Sequence, residues 1–367
     1  MMKHRLARAG LRRENDSRTP LSGENMEFGT KTFRGTSRAA LVAALAAIAF
    51  AGSARAAEHI KIGALKSTNV AAVYVAIDKG YFAKEGLDPE LVPFQSAQPI
   101  SVAATNGAID FGTTSTSAGL FSLAGSGALR IISGLYDEAP GFHNFAVAAS
   151  TKAYEGGLKS YKDLPGHSVA VTQVGSPVHY SLALIAEKYH LDLGAIRVLA
   201  LQSIPNMQTA IRGNQADATI INSTSVNPLL ASGAAHLLGW VGDETPWQTA
   251  VTFTTPKMIE QHKTTVEAFL RALKAGARYY HDAFTGSDEK PKDGPNAAEV
   301  TAILAKYTSL TPEQVKASLA HVDAEERVDV KDIVHQVEWF QSQKMVKEDV
   351  KPAAVMDSAL VVPMPSH

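Results

Sequence analysis

Ile109-Asp110-Phe111-Gly112-Thr113-Thr114-Ser115-Thr116-Ser117 is the stretch whose reading decides the fold. Residues 109–112 have the composition of a short buried strand. A run of hydroxyl residues follows, and then an apolar helical pattern at 117–124. A strand, a polar turn and a helix in direct succession are the ingredients of a βαβ unit. The same succession precedes this stretch, with strands predicted at 60–65 and 90–94 and helices at 70–85 and 99–106. A strand at 129–135 follows it. Such alternation predicts an α/β fold with helices on the faces of a parallel-rich sheet.

The pattern then recurs. Strands are predicted at 168–172, 196–201, 218–221 and 236–241, and helices at 178–189, 205–212 and 228–231. The two passes superpose at a constant offset of 107: Gln95-Ser96 falls on Gln202-Ser203, Asp110 on Asp217, and Ser115 and Thr116 on Asn222 and Ser223. A shared order of elements at one offset predicts two similar lobes. Residues 145–149 should lead into the second lobe and residues 249–254 back out, which makes a two-crossing hinge with a cleft. The division expected is 57–145 and 250–367 for lobe I and 146–249 for lobe II. Helices are predicted at 257–284, 297–307, 312–321 and 330–343, packed on lobe I, with an exposed Gly/Pro-rich loop at 285–296.

Residues 1–56 read differently. Lys31, Arg34 and Arg38 precede an apolar run at 39–51, and Ala54-Arg55-Ala56 offers a cleavage site. This is the three-part layout of a secretory signal. The run is shorter than the ~20 residues of a membrane span. Met26 is a possible start, and Arg12-Arg13 lies too far upstream to act as a twin-arginine signal. The segment holds ten basic and four acidic residues, so removing it turns a net charge of -1 into -7. An acidic mature chain argues against nucleic acid as partner. With no cysteine in the chain, neither a disulfide nor a lipid-bearing cysteine at the cleavage site is available. The expectation is a freely diffusing periplasmic protein.

Ala76-Ile77-Asp78-Lys79-Gly80-Tyr81-Phe82-Ala83-Lys84-Glu85-Gly86-Leu87-Asp88, followed by Phe94-Gln95-Ser96, resembles the opening of the sulfonate/nitrate/taurine-type periplasmic binding proteins, a family that includes thiamin-pyrimidine binders. Gly107-Ala108-Ile109-Asp110-Phe111-Gly112, then Gly175-Ser176-Pro177-Val178-His179-Tyr180-Ser181-Leu182, then the 337–346 segment around Trp339-Phe340, are similar to its later signatures. The resemblance spans residues 59–360. It implies the two-lobed type II binding-protein fold, no cofactor, and a monomer that delivers a small organic anion to an inner-membrane ABC permease and its ATPase. The eukaryotic relatives that make the thiamin pyrimidine are enzymes with a cysteine cluster. This chain has no cysteine, so that activity is not expected.

In open α/β sheets the ligand lies beyond the carboxyl ends of the strands. The candidates are therefore Lys66, Ser67, Thr68 and Asn69 after the first strand, Ser96 after the second, and Thr114, Ser115 and Thr116 after the third. Hydroxyls at a helix start either cap the helix or, with its free N–H groups, bind an anion. In the second lobe the candidates are Gly175, Ser176, His179, Asn222 and Ser223. Tyr136 and Trp247 could stack on a ligand, as could Phe253. Lys66 is the cation of the set, as plausible a solvated surface residue as a partner for a carboxylate or sulfonate, and His179 is more often a packing or hydrogen-bonding residue than a ligand contact. Asp243-Glu244 reads as a pair bonding hinge backbone. No His-Glu-x-x-His or Gly-x-Ser-x-Gly motif points to an enzyme. A ligand-sensing subunit remains the alternative to a transport component, since both use one fold and one cleft.

Overall fold

The computed structural model describes residues 56–365. The expected export signal lies outside the described residues but for Ala56. No helix of the described residues is long and apolar enough to cross a membrane.

Ten strands form two five-stranded sheets: β1 (Glu58–Leu65), β2 (Leu87–Phe94), β3 (Phe111–Ser115), β4 (Arg130–Glu138), β5 (Phe145–Ser150), β6 (Ser168–Val171), β7 (Arg197–Ala200), β8 (Ala218–Asn222), β9 (Ala235–Trp240) and β10 (Trp247–Thr254). The first sheet has the order β2-β1-β3-β10-β4 and the second β7-β6-β8-β5-β9. In each, the first three strands run parallel, while the fourth is antiparallel to both neighbours. The sheets are thus mixed but parallel-rich, as expected: four strands of each run one way and one runs against them. The odd strand has a topological reason: β5 and β10 arrive from the other sheet through short connections, residues 139–144 and the four-residue Val241–Glu244 helix, rather than through a long βαβ crossover.

The offset of 107 is a structural fact. Ile62 pairs with Phe111 and Gly63 with Gly112. Adding 107 gives Val169 with Ala218 and Ala170 with Thr219, which are the pairs observed. Asp110 Oδ2 accepts from the Lys61 amide at 2.7 Å, and Asp217 Oδ2 from the Ser168 amide at 2.8 Å. Each aspartate, standing just before one strand, therefore satisfies a backbone donor of the neighbouring parallel strand, β1 or β6. Ser96 and Ser203 both stand at helix N-caps.

Several predicted boundaries move. The strand expected at 109–112 runs instead through Phe111–Ser115, because Thr113, Thr114 and Ser115 pair with Thr252, Val251 and Ala250 of β10. Thr113 Oγ1 donates to Gly63 O at 3.0 Å, so a hydroxyl side chain is accommodated inside the sheet. The helix expected at 70–85 is two helices, Ala71–Asp78 and Tyr81–Lys84, broken at Gly80 with φ 68°. That at 257–284 divides at His262 into Pro256–Gln261 and Lys263–Phe284. That at 312–321 covers only Pro312–Lys316.

One buried cluster joins β1, the Ala71–Asp78 helix and the Lys263–Phe284 helix, with Phe111 stacked on Phe269 at 3.8 Å. A second runs through both sheets. It includes Phe121, Val147, Val169, Tyr180, Trp247, Val251, Val337 and Phe340. Val337 and Phe340 belong to the Val330–Ser342 helix. That helix packs on Phe121 from the first sheet's side and on His179 and Tyr180 from the second's. It was expected against the first lobe alone, but its aromatic face joins both.

Candidate functional site

The carboxyl ends of β1, β3, β6 and β8 face the same region, and there the two halves touch. The Ala118 amide, first in the Ala118–Gly125 helix, donates to Gly175 O at 3.0 Å. Gly175 has φ 82°, and a Cβ there would sit 3.0 Å from the Ala118 methyl. A glycine is needed for both reasons. Its amide donates to Nδ1 of His179 at 3.1 Å. Burial holds the His179 imidazole below its ordinary value, which keeps that nitrogen an acceptor. His179 thus fixes the turn that carries Gly175 and Ser176 into the Pro177–Lys188 helix.

A polar chain runs along the first sheet to the crossing. Ser115 Oγ and Tyr136 Oη are 2.6 Å apart. Burial pushes the Tyr136 phenol up to about 12. Asn69 lies beside Tyr136 and donates to Asn144 Oδ1 at 3.0 Å. Asn144 in turn donates to Glu138 and accepts the Ser223 amide on its backbone oxygen. Glu138 is 1% exposed, and burial raises its carboxyl to about 8 despite the Phe145 and Gly242 amides beside it. Asn144 and Phe145 open the first crossing; Gly242 stands before the second. A Cβ on Gly242 would meet Ala139 O at 2.6 Å, so the two crossings are packed backbone on backbone.

A second network was not foreseen from the sequence. Asp332 on the Val330–Ser342 helix accepts from Tyr180 Oη at 3.2 Å, from the Gln248 amide at 2.9 Å and from Gln336 Nε2 at 2.6 Å. Burial lifts its carboxyl to about 7. His335 Nδ1 is 2.6 Å from Tyr180 Oη. Thr116 Oγ1 donates to Gln336 Oε1 at 2.6 Å. Thr116 is therefore tied to the closing helix.

The predicted residues separate into groups. Ser115, Tyr136, Asn69 and Asn222 or its neighbour Ser223 gather near the crossing. Gly175, Ser176 and His179 gather with the start of the Ala118–Gly125 helix. Trp247 packs edge-on to Tyr180, with ring centroids 5.0 Å apart. Ser96 stays exposed at the mouth of a 390 Å³ cavity that Gln98 and Gln173 also line. Lys66 turns outward: its Nζ donates to Ser309 Oγ at 3.0 Å. Ser67 caps nothing, and Thr68 Oγ1 donates to Ser318 O at 2.7 Å. Phe253 is wholly buried against Gly112, and Asp243 accepts the Gly141 amide at the hinge. Four predicted residues hold buried polar atoms without a partner: Thr114 Oγ1, Ser176 Oγ, Asn222 Oδ1 and Trp247 Nε1. Such atoms are costly unless something satisfies them.

The fold has solved counterparts. The alkanesulfonate-binding protein SsuA from Xanthomonas axonopodis pv. citri, bound to MOPS, is 19% identical with a TM-score of 0.63, covering 82% of this chain and 98% of that one. The periplasmic aliphatic sulphonate binding protein SsuA from Escherichia coli is 17% identical with a TM-score of 0.64, over 84% and 94%. The desulfurization enzyme DSZB shares the fold at 12% identity and a TM-score of 0.57, over 83% and 96%. No curated protein matches the sequence. The match to a family is over residues 67–283, more than half of the sequence, and the chain belongs to that family, NMT1/THI5 like.

Proposed function

We propose that this chain is the periplasmic solute-binding component of an ABC importer, and that it captures a small organic anion, a sulfonate or a carboxylate, between its two sheets. The observation that carries this reading is Ser176. It stands at the N-cap of a twelve-residue helix, its hydroxyl is buried, it makes no cap bond, and it has no other partner. A helix N-terminus favours negative charge, and an unpartnered hydroxyl there supplies a donor for an oxyanion. The abutting start of the Ala118–Gly125 helix brings a second positive dipole end close by, with its Ala118 amide given to Gly175 O and its Leu120 amide to Ser117 Oγ. Thr114 and Trp247 offer two further donors. The export-signal pattern supports a periplasmic location, and the lack of a cysteine at its cleavage site a carrier without a lipid anchor; in this reading the carrier is a monomer that works with a membrane permease and its ATPase. No covalent step is part of this reading.

A neutral heteroaromatic ring is the second reading. The amides of Asn69, Asn144 and Asn222 and the buried phenol of Tyr136 favour it, because they suit a ligand with both donors and acceptors. One thermal-shift screen separates the two, using alkanesulfonates, aliphatic and aromatic carboxylates, nitrate and aminopyrimidines. A true ligand at 100 times its Kd adds ~2.7 kcal/mol of stability. Ser176→Ala should fold normally and weaken an anion by about 10–100-fold, the worth of one hydrogen bond to charge. Undiminished anion affinity in that variant, or a screen in which only pyrimidines shift the transition, would overturn the anion reading. Conversion of the bound compound would sink the binding-only reading.

A further inference from the structure

Away from the cleft, His281, Glu289 and His321 converge from three segments that are separate in sequence. His281 lies in the last turn of the Lys263–Phe284 helix, Glu289 in the loop that follows, and His321 beyond the Pro312–Lys316 helix. Their ligating atoms all lie within 4.8 Å of one another. We propose that these three side chains form a binding site for one divalent transition-metal ion of the zinc class.

The geometry fits such an ion. Glu289 Oε2 is 3.2 Å from His281 Nε2 and 3.3 Å from His321 Nε2. Ligands at the ~2.0–2.1 Å of zinc–nitrogen and zinc–oxygen bonds stand about 3.3 Å apart on a tetrahedron. Two imidazoles and one carboxylate are a donor set for zinc and its neighbours rather than for magnesium or calcium, which take oxygen. Three protein ligands leave one position for water.

The surroundings supply a second observation. His321 is 9% exposed, and its other nitrogen, Nδ1, is 3.4 Å from Oδ2 of Asp137, itself 8% exposed. The Asp137 amide also donates to His321 O at 3.0 Å, and Phe142 lies edge-on to the ring. A carboxylate behind a histidine is the usual device for presenting the opposite nitrogen to a metal. With Nδ1 turned to Asp137 and Nε2 to Glu289, the ring presents the nitrogen nearest His281 and Glu289 to the space an ion would take. The alternative without metal is a histidine ion-paired between the two carboxylates, and metal titration separates the two. An ion here would clamp the 285–296 loop and the end of the long helix to Asp137, next to the first crossing.

The test is isothermal titration of the full chain, stripped with EDTA, with ZnCl2 and with MgCl2. The expected result is one zinc ion per chain, no magnesium, and zinc affinity at least 10-fold weaker in His281→Ala and in Glu289→Gln. Glu289 is exposed, so its variant should fold, as circular dichroism would verify. Asp137→Asn should weaken zinc by ~10–100-fold. Absence of saturable zinc binding overturns the proposal. So does an unaltered 1:1 isotherm in folded Glu289→Gln and His281→Ala, because the ion would then lie elsewhere.

Discussion

Glu138 joins the two crossings, and its replacement by glutamine tests that joint. The carboxyl is buried, one oxygen accepts from Asn144, and the other has no partner. Burial raises it from 4.5 to about 8. A carboxyl raised on folding makes the fold prefer the protonated form. Its effect on stability is therefore nil below pH 4, grows more unfavourable as pH rises above 4.5, and levels off past about 8. At ~1.4 kcal/mol per pH unit the penalty is about 1 kcal/mol at pH 5 and about 4 kcal/mol at pH 8. Glutamine has the shape of the protonated acid and does not titrate. Glu138→Gln should thus match the parent within ~0.5 kcal/mol at pH 4 and exceed it by on the order of 4 kcal/mol at pH 8. A domain holds only ~5–15 kcal/mol in total, so urea titrations at the two pH values resolve the difference. Equal effects at pH 4 and pH 8 would refute the reasoning. Glu138 would then be hydrated, and the crossings would not be sealed around it.

Two further predictions follow from packing and from the closing helix. Gly276→Ala should destabilise the chain by ~1–3 kcal/mol by thermal unfolding, because its Cβ would meet Ala72 O at 2.2 Å, and this overpacking outweighs the ~1 kcal/mol that alanine gains in a helix interior. An unchanged or higher midpoint would mean the two helices stand further apart. Tyr180→Phe should cost ~1–3 kcal/mol in denaturant unfolding, since it leaves Asp332 and His335 without the hydroxyl they share; a loss below ~0.3 kcal/mol would show that this network does not hold the helix.

The repeat was legible because it rests on local chemistry. Asp110 and Asp217 do one job at one offset, and Ser96 and Ser203 stand at the N-caps of equivalent helices, Ser203 with a side-chain cap bond. The strand at Phe111–Ser115 was misplaced because three consecutive hydroxyl residues look like a turn. Their β-branched or small side chains fit a sheet once Gly63 O accepts a bond and β10 lies alongside. The antiparallel entry of β5 and β10 was not legible from alternation, which reports helices and strands but not the direction of a strand that arrives from another sheet. The outward turn of Lys66 depends on Ser309, and Thr68 depends on Ser318, each roughly 250 residues away and invisible to local pattern.

The closing helix changes what opening the cleft must involve. Two crossings alone would let the halves rotate about a hinge. Here Asp332 binds Tyr180 of the second half and the Gln248 amide of the first, while Gln336 binds Thr116 and Gln248 O. Trp339 and Phe340 pack on Tyr180 as well. Rotation about the crossings must either carry Tyr180 away from this helix or bend the chain beside it. Phe340 and Tyr180 are wholly buried, so the first route exposes a large aromatic surface and leaves the half-buried Asp332 carboxylate without its Tyr180 donor. The contact between Ala118 and Gly175 is a single backbone hydrogen bond, much cheaper to break. Opening should therefore separate the helix termini around Ser176 while the contacts at Tyr180 persist, which makes the Pro177–Lys188 helix the pivot and its N-terminus the gate.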